Sequence, residues 1–86
     1  MKKKIAVIGA VLDNPIECQS EFNDLLSHYK AIIKGRMGVP FENADVSVVS
    51  IVVSGSLDEI NGLTGKLGNI PGVNVKTAFS KQEIDI

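Results

Sequence analysis

The chain has 86 residues and a formal charge of −1, and 44% of its residues are hydrophobic but only 5% aromatic. This length predicts a single domain, residues 1–86, with an aliphatic core. The near-neutral charge excludes strong electrostatic attraction to nucleic acid, and no segment approaches the ~20 apolar residues of a membrane span. The single cysteine excludes an intrachain disulfide and is typical of a reducing compartment, so we expect a soluble, cytoplasmic protein.

The first element is predicted as a strand over residues 4–12, followed by a helix. Asp13 and Asn14 are favourable caps for that helix, and Pro15 suits its first position because the missing N–H would be unpaired there. Apolar residues then recur at helical spacing: Cys18, Phe22, Leu25, Leu26 and Tyr29. This periodicity predicts one buried stripe, with acidic and polar residues on the outer side.

The middle of the chain contains two further predicted strands. Residues 31–39 alternate apolar and charged side chains, which is typical of an edge strand, and Pro40 ends it. Residues 43–45 form a turn into a third strand over residues 46–53. We expect the charged positions of the edge strand to lie on the side away from the helices.

A second helix and a last strand complete the predicted elements. Ser56 and Glu59 are spaced as a capping box, which marks the start of the helix. Its predicted apolar stripe consists of Leu57, Ile60, Leu63 and Leu67. Gly68 is placed as the C-terminal stop. The last strand is predicted over residues 73–80, whereas residues 81–86 have no pattern and are expected to fray.

The predicted order is strand, helix, strand, strand, helix, strand, which is the split βαβ arrangement of ferredoxin-like folds. Right-handed crossovers place both helices on one face of a four-stranded antiparallel sheet, with the first and third strands central. Residues 5–12 and 46–53, which fall in these strands, are apolar on both faces. A strand that is apolar on both faces must be shielded from water on both sides of the sheet, and the helices of so small a chain shield one side. We therefore predict an α+β, βαββαβ sandwich that forms a homodimer or tetramer through its sheet faces or edges.

The residue types needed for catalysis or metal binding are sparse. Cys18 and His28 lie ten residues apart on one predicted helix, and the chain has no second cysteine or histidine. They cannot form a complete intrachain metal site, although symmetry copies could meet between subunits. We interpret Cys18 as a core residue and His28 as a partner of the helix dipole. We expect no catalytic residue, no metal and no cofactor.

Two segments are candidate sites for a ligand or a partner. The first is Asp13 with Asn14, where backbone amides at a helix start favour anions, the alternative being an ordinary helix cap. The second is the run Gly35, Arg36, Met37 and Gly38. Its two glycines weaken a strand unless they form a bulge or let another backbone or a ligand approach closely.

Arg36 is the chain's only arginine, and we expect it on the sheet face away from the helices. Its planar cation suits a carboxylate or a phosphate, and Asp13 or Asn14 of the same or a second subunit would be neighbours. The alternative is a charged side chain that prevents the exposed sheet edge from pairing with a strand of another molecule. Met37 is expected in the core or in an interface.

Residues 14–15, 35–40, 63–73 and 75–78 together resemble the iron-only hydrogenase system regulator family, whose members are short chains with an ACT-like, ferredoxin-like fold. The resemblance spans residues 4–81. It implies an oligomeric regulatory or sensing module linked to the maturation or control of a hydrogenase, with a protein of that system as a partner. The fold is also similar to the ligand-binding half of nickel-responsive repressors.

Two differences from amino-acid-binding ACT domains and from nickel repressors limit which ligands can be inferred from this resemblance. Ile16 stands where amino-acid-binding ACT domains favour a glycine, and the histidine cluster of the nickel repressors is absent. The first strand begins by Lys4, which leaves no room for a DNA-reading arm, so we expect no direct contact with nucleic acid and none with a membrane.

Three classes of function therefore stay open for this chain. We predict a non-catalytic regulatory module that acts through a small ligand or a protein partner. The alternatives are an assembly component without a small ligand, or a small dimeric ferredoxin-like enzyme. A hydrolase of that fold would need an arginine just after the first strand, and the only one here, Arg36, lies in the second.

Overall fold

The computed structural model describes residues 2–85 of the chain. Its elements are β1 (Lys2–Asp13), α1 (Pro15–His28), β2 (Ile33–Phe41), a 3₁₀ turn (Glu42–Ala44), β3 (Val46–Gly55), α2 (Leu57–Gly68) and β4 (Val73–Asp85). The sheet order is β2-β3-β1-β4 with every pair antiparallel, so the central position predicted for the first and third strands is confirmed. In the described part of the chain, neither helix has the length and apolar character needed to cross a membrane.

One hydrophobic core lies between the helices and a single face of the sheet. The central strands bury every second side chain, as strand geometry requires. Those side chains belong to Ala6, Ile8, Ala10 and Leu12 of β1 and to Val49, Ile51 and Val53 of β3. The helices cover them with Cys18, Phe22 and Leu26 from α1 and with Ile60, Leu63 and Leu67 from α2. Both helices therefore lie on the same face, as the order of elements predicted.

The predicted capping box begins α2. The hydroxyl of Ser56 accepts a hydrogen bond from the Glu59 amide at 3.1 Å, and the Glu59 carboxylate accepts one from the Ser56 amide at 2.8 Å. The helix ends at Gly68, as predicted. Leu57 is 45% exposed, so the buried stripe begins one turn later than predicted, at Ile60.

The edge strand and the chain ends differ from the prediction. β2 continues past Pro40, because at a sheet edge the missing N–H of proline costs no ladder bond. The prediction that residues 81–86 fray is wrong for residues 81–85, because β4 extends to Asp85 and pairs with β1 there. The pairing register places Lys2 opposite Asp85 and Lys4 opposite Glu83, and opposite charges in such pairs stabilise a ladder.

Candidate functional site

The sheet face that the helices do not cover, here called the open face, carries an apolar stripe. Its members lie on β1, β2 and β3 at the positions that alternate with the buried ones. The apolar stripe consists of Val7, Val11, Met37, Val39, Phe41, Val48 and Val52, each 36–65% exposed. The register places Val7 beside Val52 and Val48 beside both Val11 and Val39, so the stripe is continuous across three strands.

The stripe confirms the prediction that the central strands have two apolar faces. Soluble monomers rarely expose contiguous apolar patches beyond a few hundred Å² unless the patch has a function. The charged side chains of this face lie at its margins, with Asp13 at the end of β1 and Lys76 on β4 opposite Gly9. An apolar centre with charged margins is the usual arrangement of a protein interface.

The structure places Arg36 on the face opposite to the one predicted. Between Ile33 and Gly35 the register with β3 shifts by one residue, so of the two alternatives for the glycines the structure shows a bulge, at Gly35. Beyond the bulge, Arg36 pairs with the buried Ile51 and therefore lies on the side of the helices. Met37 lies on the open face and is 65% exposed, which excludes it from the core of this chain.

Arg36 contacts α1. Its Nη2 donates a hydrogen bond of 2.9 Å to Oδ1 of Asn23, so the guanidinium extends across the gap between β2 and the helix. The surrounding surface is a shallow depression, here called the α1–β2 depression, lined by Asn23, Leu26, Ser27, Lys30, Ile33 and Arg36. Asn23 and Lys30 were not predicted as site residues from the sequence. The spacing of Asn23 and Ser27, one helical turn apart, would have placed both on one side of α1.

The backbone amides of the predicted loop site are used by the fold. Asp13 N–H donates to the Gly72 carbonyl at 2.7 Å and Asn14 N–H to the Asp45 carbonyl at 3.1 Å, while Glu17 N–H donates to the Asn14 carbonyl at 2.9 Å. Asn14 stands at the predicted cap position, but its side chain makes no capping bond, and its backbone is left-handed with φ 53°. The loop therefore joins three segments of the chain and offers few free amides to an anion.

The two candidate segments are not brought together. Asp13 lies in register with Val46 of β3, whereas Arg36 lies in register with Ile51. Five residues along a strand correspond to roughly 17 Å. Within one chain, neither Asp13 nor Asn14 is therefore the partner of Arg36, whose hydrogen bond goes to Asn23.

Cys18 and His28 occupy separate places on α1. The Cys18 side chain is buried in the core, as predicted, with its Sγ 3.7 Å from the Asp13 carbonyl oxygen, and burial raises the pKa of its thiol. His28 is exposed at the helix end, with Nδ1 2.9 Å from the Asp24 carbonyl oxygen. Over residues 2–85, no three side chains of the metal-ligating types cluster closely enough to hold an ion.

A second apolar feature borders the open face at the start of α1. Ile16, 85% exposed, lies with Pro40 and Phe41 around a cleft between this helix and the end of β2. Phe41 also belongs to the apolar stripe, so the two features are continuous. The sequence contained a signal for Ile16, because its position falls outside the helical stripe that begins at Cys18.

The fold and this surface define a small ferredoxin-like α+β protein with an uncovered apolar sheet face. Residues 4–77 match the model of the TM1266-like family, described as "Iron-only hydrogenase system regulator, putative", and the chain belongs to this family. It is similar to the solved structure of the uncharacterized protein TM1266 from Thermotoga maritima, with 30% sequence identity and a TM-score of 0.88. That similarity covers 92% of this chain and 99% of the other. No match was found among curated proteins.

Proposed function

We propose that this chain is a non-catalytic, ACT-like regulatory module of an iron-only hydrogenase system, and that it works as a homodimer joined through its open face. The family name supports the regulatory role. The observation that carries the proposal is the apolar stripe, whose seven large side chains remain 36–65% exposed although they lie on the two central strands and β2. The module acts through a small ligand or a protein partner that biases this assembly.

The size of the apolar stripe is adequate for such a dimer. Complete burial of a Val or Met side chain stabilises by about 1.5–3 kcal/mol, and these side chains have about half of that burial still to gain. The stripes of two copies together then contribute on the order of 10 kcal/mol, comparable with the roughly 4–15 kcal/mol that association costs. A two-fold axis lets the same stripe serve both copies.

The assembly is tested by placing a charge in the middle of the stripe. We expect wild type to have the mass of a dimer by size-exclusion chromatography with light scattering, and Val52→Lys to have the mass of a monomer, because the interface would bury an unpaired ammonium. Leu57→Lys is the matched control, since Leu57 is 45% exposed and Val52 44%, but Leu57 lies on α2. A monomeric wild type, or equal dissociation in both variants, would exclude the open-face dimer.

The regulatory role is tested in a cell that contains an iron-only hydrogenase. Deletion of the gene for this chain is expected to change hydrogenase activity. Wild type and Leu57→Lys should restore the original level, whereas Val52→Lys should not, because the dimer is required. An unchanged hydrogenase after deletion would contradict the regulatory role, and full restoration by Val52→Lys would separate that role from the dimer.

A further inference from the structure

The α1–β2 depression has the geometry of a small anion site on the helix side of the sheet. Asn23 and Ser27 stand one turn apart on α1, and Lys30 follows in the turn after this helix. The bulge at Gly35 turns Arg36 toward them from β2. The depression therefore collects a guanidinium, an ammonium and an amide, while the Ser27 hydroxyl donates to the Asp24 carbonyl at 2.6 Å.

Within residues 2–85, no carboxylate forms an ion pair with the two cations of this depression. The contact of Arg36 within residues 2–85 is with a neutral amide oxygen, that of Asn23, and the ammonium of Lys30 has no ion pair there. The whole chain has a formal charge of −1, so this pair of cations is a local feature and not part of a generally basic surface. Two neighbouring cations repel each other, and an anion between them removes that repulsion.

Hydrogen-bonding chemistry decides which anion would bind. The Arg36–Asn23 bond uses one guanidinium N–H and the amide oxygen, so the further N–H groups of Arg36 and the NH₂ of Asn23 are donors. With the ammonium of Lys30 they form a set that an oxyanion satisfies, and a guanidinium can bind two oxygens of a phosphate or carboxylate at once.

The surroundings provide space and an apolar floor. Leu26 is buried and Ile33 half-buried beneath the polar groups. Gly38 lies two positions beyond Arg36 on the same side of β2. Because glycine has no side chain, nothing at this position covers the Arg36 side chain. The apolar floor offers van der Waals contact to an apolar part of the ligand.

We propose that the α1–β2 depression binds the phosphate or carboxylate group of a small ligand through Arg36, Lys30 and Asn23. This names a ligand class for the regulatory module, and its biological role rests on the function proposed above. Binding itself does not depend on the dimer, because the depression and the apolar stripe lie on opposite faces of the sheet.

The test is an NMR titration of ¹⁵N-labelled protein with inorganic phosphate and, separately, with acetate, at constant ionic strength. We expect saturable shifts of the Asn23 side-chain amide and the Arg36 Nε–H with at least one of the two anions. Stronger binding of phosphate or of acetate then identifies the group that the ligand carries.

Variants decide whether these residues form the site. Arg36→Gln and Lys30→Gln should each weaken binding about tenfold or more, because each removes a charge-assisted hydrogen bond to the anion. Arg36→Lys keeps the charge but loses the planar guanidinium that binds two oxygens at once, so it should also weaken binding. Lys81→Gln, which removes a cation from β4 at the sheet edge opposite to β2, should bind within about twofold of wild type.

Two outcomes would overturn the proposal: shifts that rise without saturation for both anions, or equal affinity in wild type, Arg36→Gln and Lys30→Gln. Thermal melts of the variants establish that they remain folded. Val52→Lys, whether monomer or dimer, should bind the anion as wild type does, so a failed anion site and a failed open-face dimer give different results.

Discussion

The carboxylate of Glu59 contributes to stability in a way that depends on pH. It accepts the Ser56 backbone N–H at 2.8 Å, and this bond is the main reason that the pKa of Glu59 is lowered from its ordinary value of 4.5. A carboxyl group whose pKa is lower in the folded state stabilises the fold when ionised. That contribution is present above the unfolded pKa and is lost as the pH falls through the folded pKa.

Glu59→Gln should remove this pH dependence while keeping an acceptor for the capping box. We expect the difference in unfolding free energy between wild type and variant to be constant from pH 7 to about 5, and wild type to lose more stability than the variant as the pH falls below 4.5. Urea unfolding between pH 7 and 3 measures both. Parallel curves over the whole range would show that the capping carboxylate does not titrate differently on folding.

Gly72 is required where the chain passes close to the backbone at the end of β1. Its φ is +88°, and an added Cβ would lie 2.9 Å from the carbonyl oxygen of Asp13. Gly72→Ala should therefore destabilise by about 1–3 kcal/mol, because both the backbone angle and the contact oppose it. Gly65→Ala on α2 is the control, since open space surrounds that position, and it should stabilise by roughly 0.5–1 kcal/mol. Equal midpoints in urea for the two variants would contradict this explanation.

Among the elements, the helices and the edge strand were predictable from local signals, but the directions of the side chains in the edge strand were not. α2 begins at a capping box and ends at a glycine, both readable within a few residues. The side-chain directions in β2 depend on the register with β3, which shifts at Gly35 and moves Arg36 to the helix side. The alternation of Ile33, Met37 and Val39 contained no information about that shift, so Arg36 was predicted on the wrong face.

The loop at Asn14 shows a second limit of element-level prediction. Its position before α1 was predictable because Pro15 favours the first helical turn. Its backbone is left-handed, and its N–H donates to the carbonyl of Asp45, which lies far along the chain on the other side of β2. The amides of Asp13 and Asn14 donate to carbonyls of distant segments, which no local pattern specifies. The contact of Arg36 with Asn23 likewise joins two elements that are far apart in the sequence.

At the scale of the whole molecule, the sheet order could be predicted from which strands are apolar on both faces. β1 and β3 are apolar on both sides, so they had to be central, and the structure places them there. The two helices bury one face and leave the apolar stripe on the other. The pattern thus predicted the uncovered surface, whereas the occupant of that surface depends on a second molecule and is outside the information in one chain.

If a second copy covers the open face, the stability of the protein must depend on its concentration. A folded dimer in equilibrium with unfolded monomers gains stability by mass action, so the Tm of wild type should rise measurably between about 1 and 100 μM. Val52→Lys should lower the Tm and remove its concentration dependence, because a monomer unfolds without a change in the number of molecules. Leu57→Lys should keep the dependence, since its side chain lies on α2. A wild-type Tm that stays constant over this range would contradict the homodimer and indicate that a protein of different sequence covers the apolar stripe.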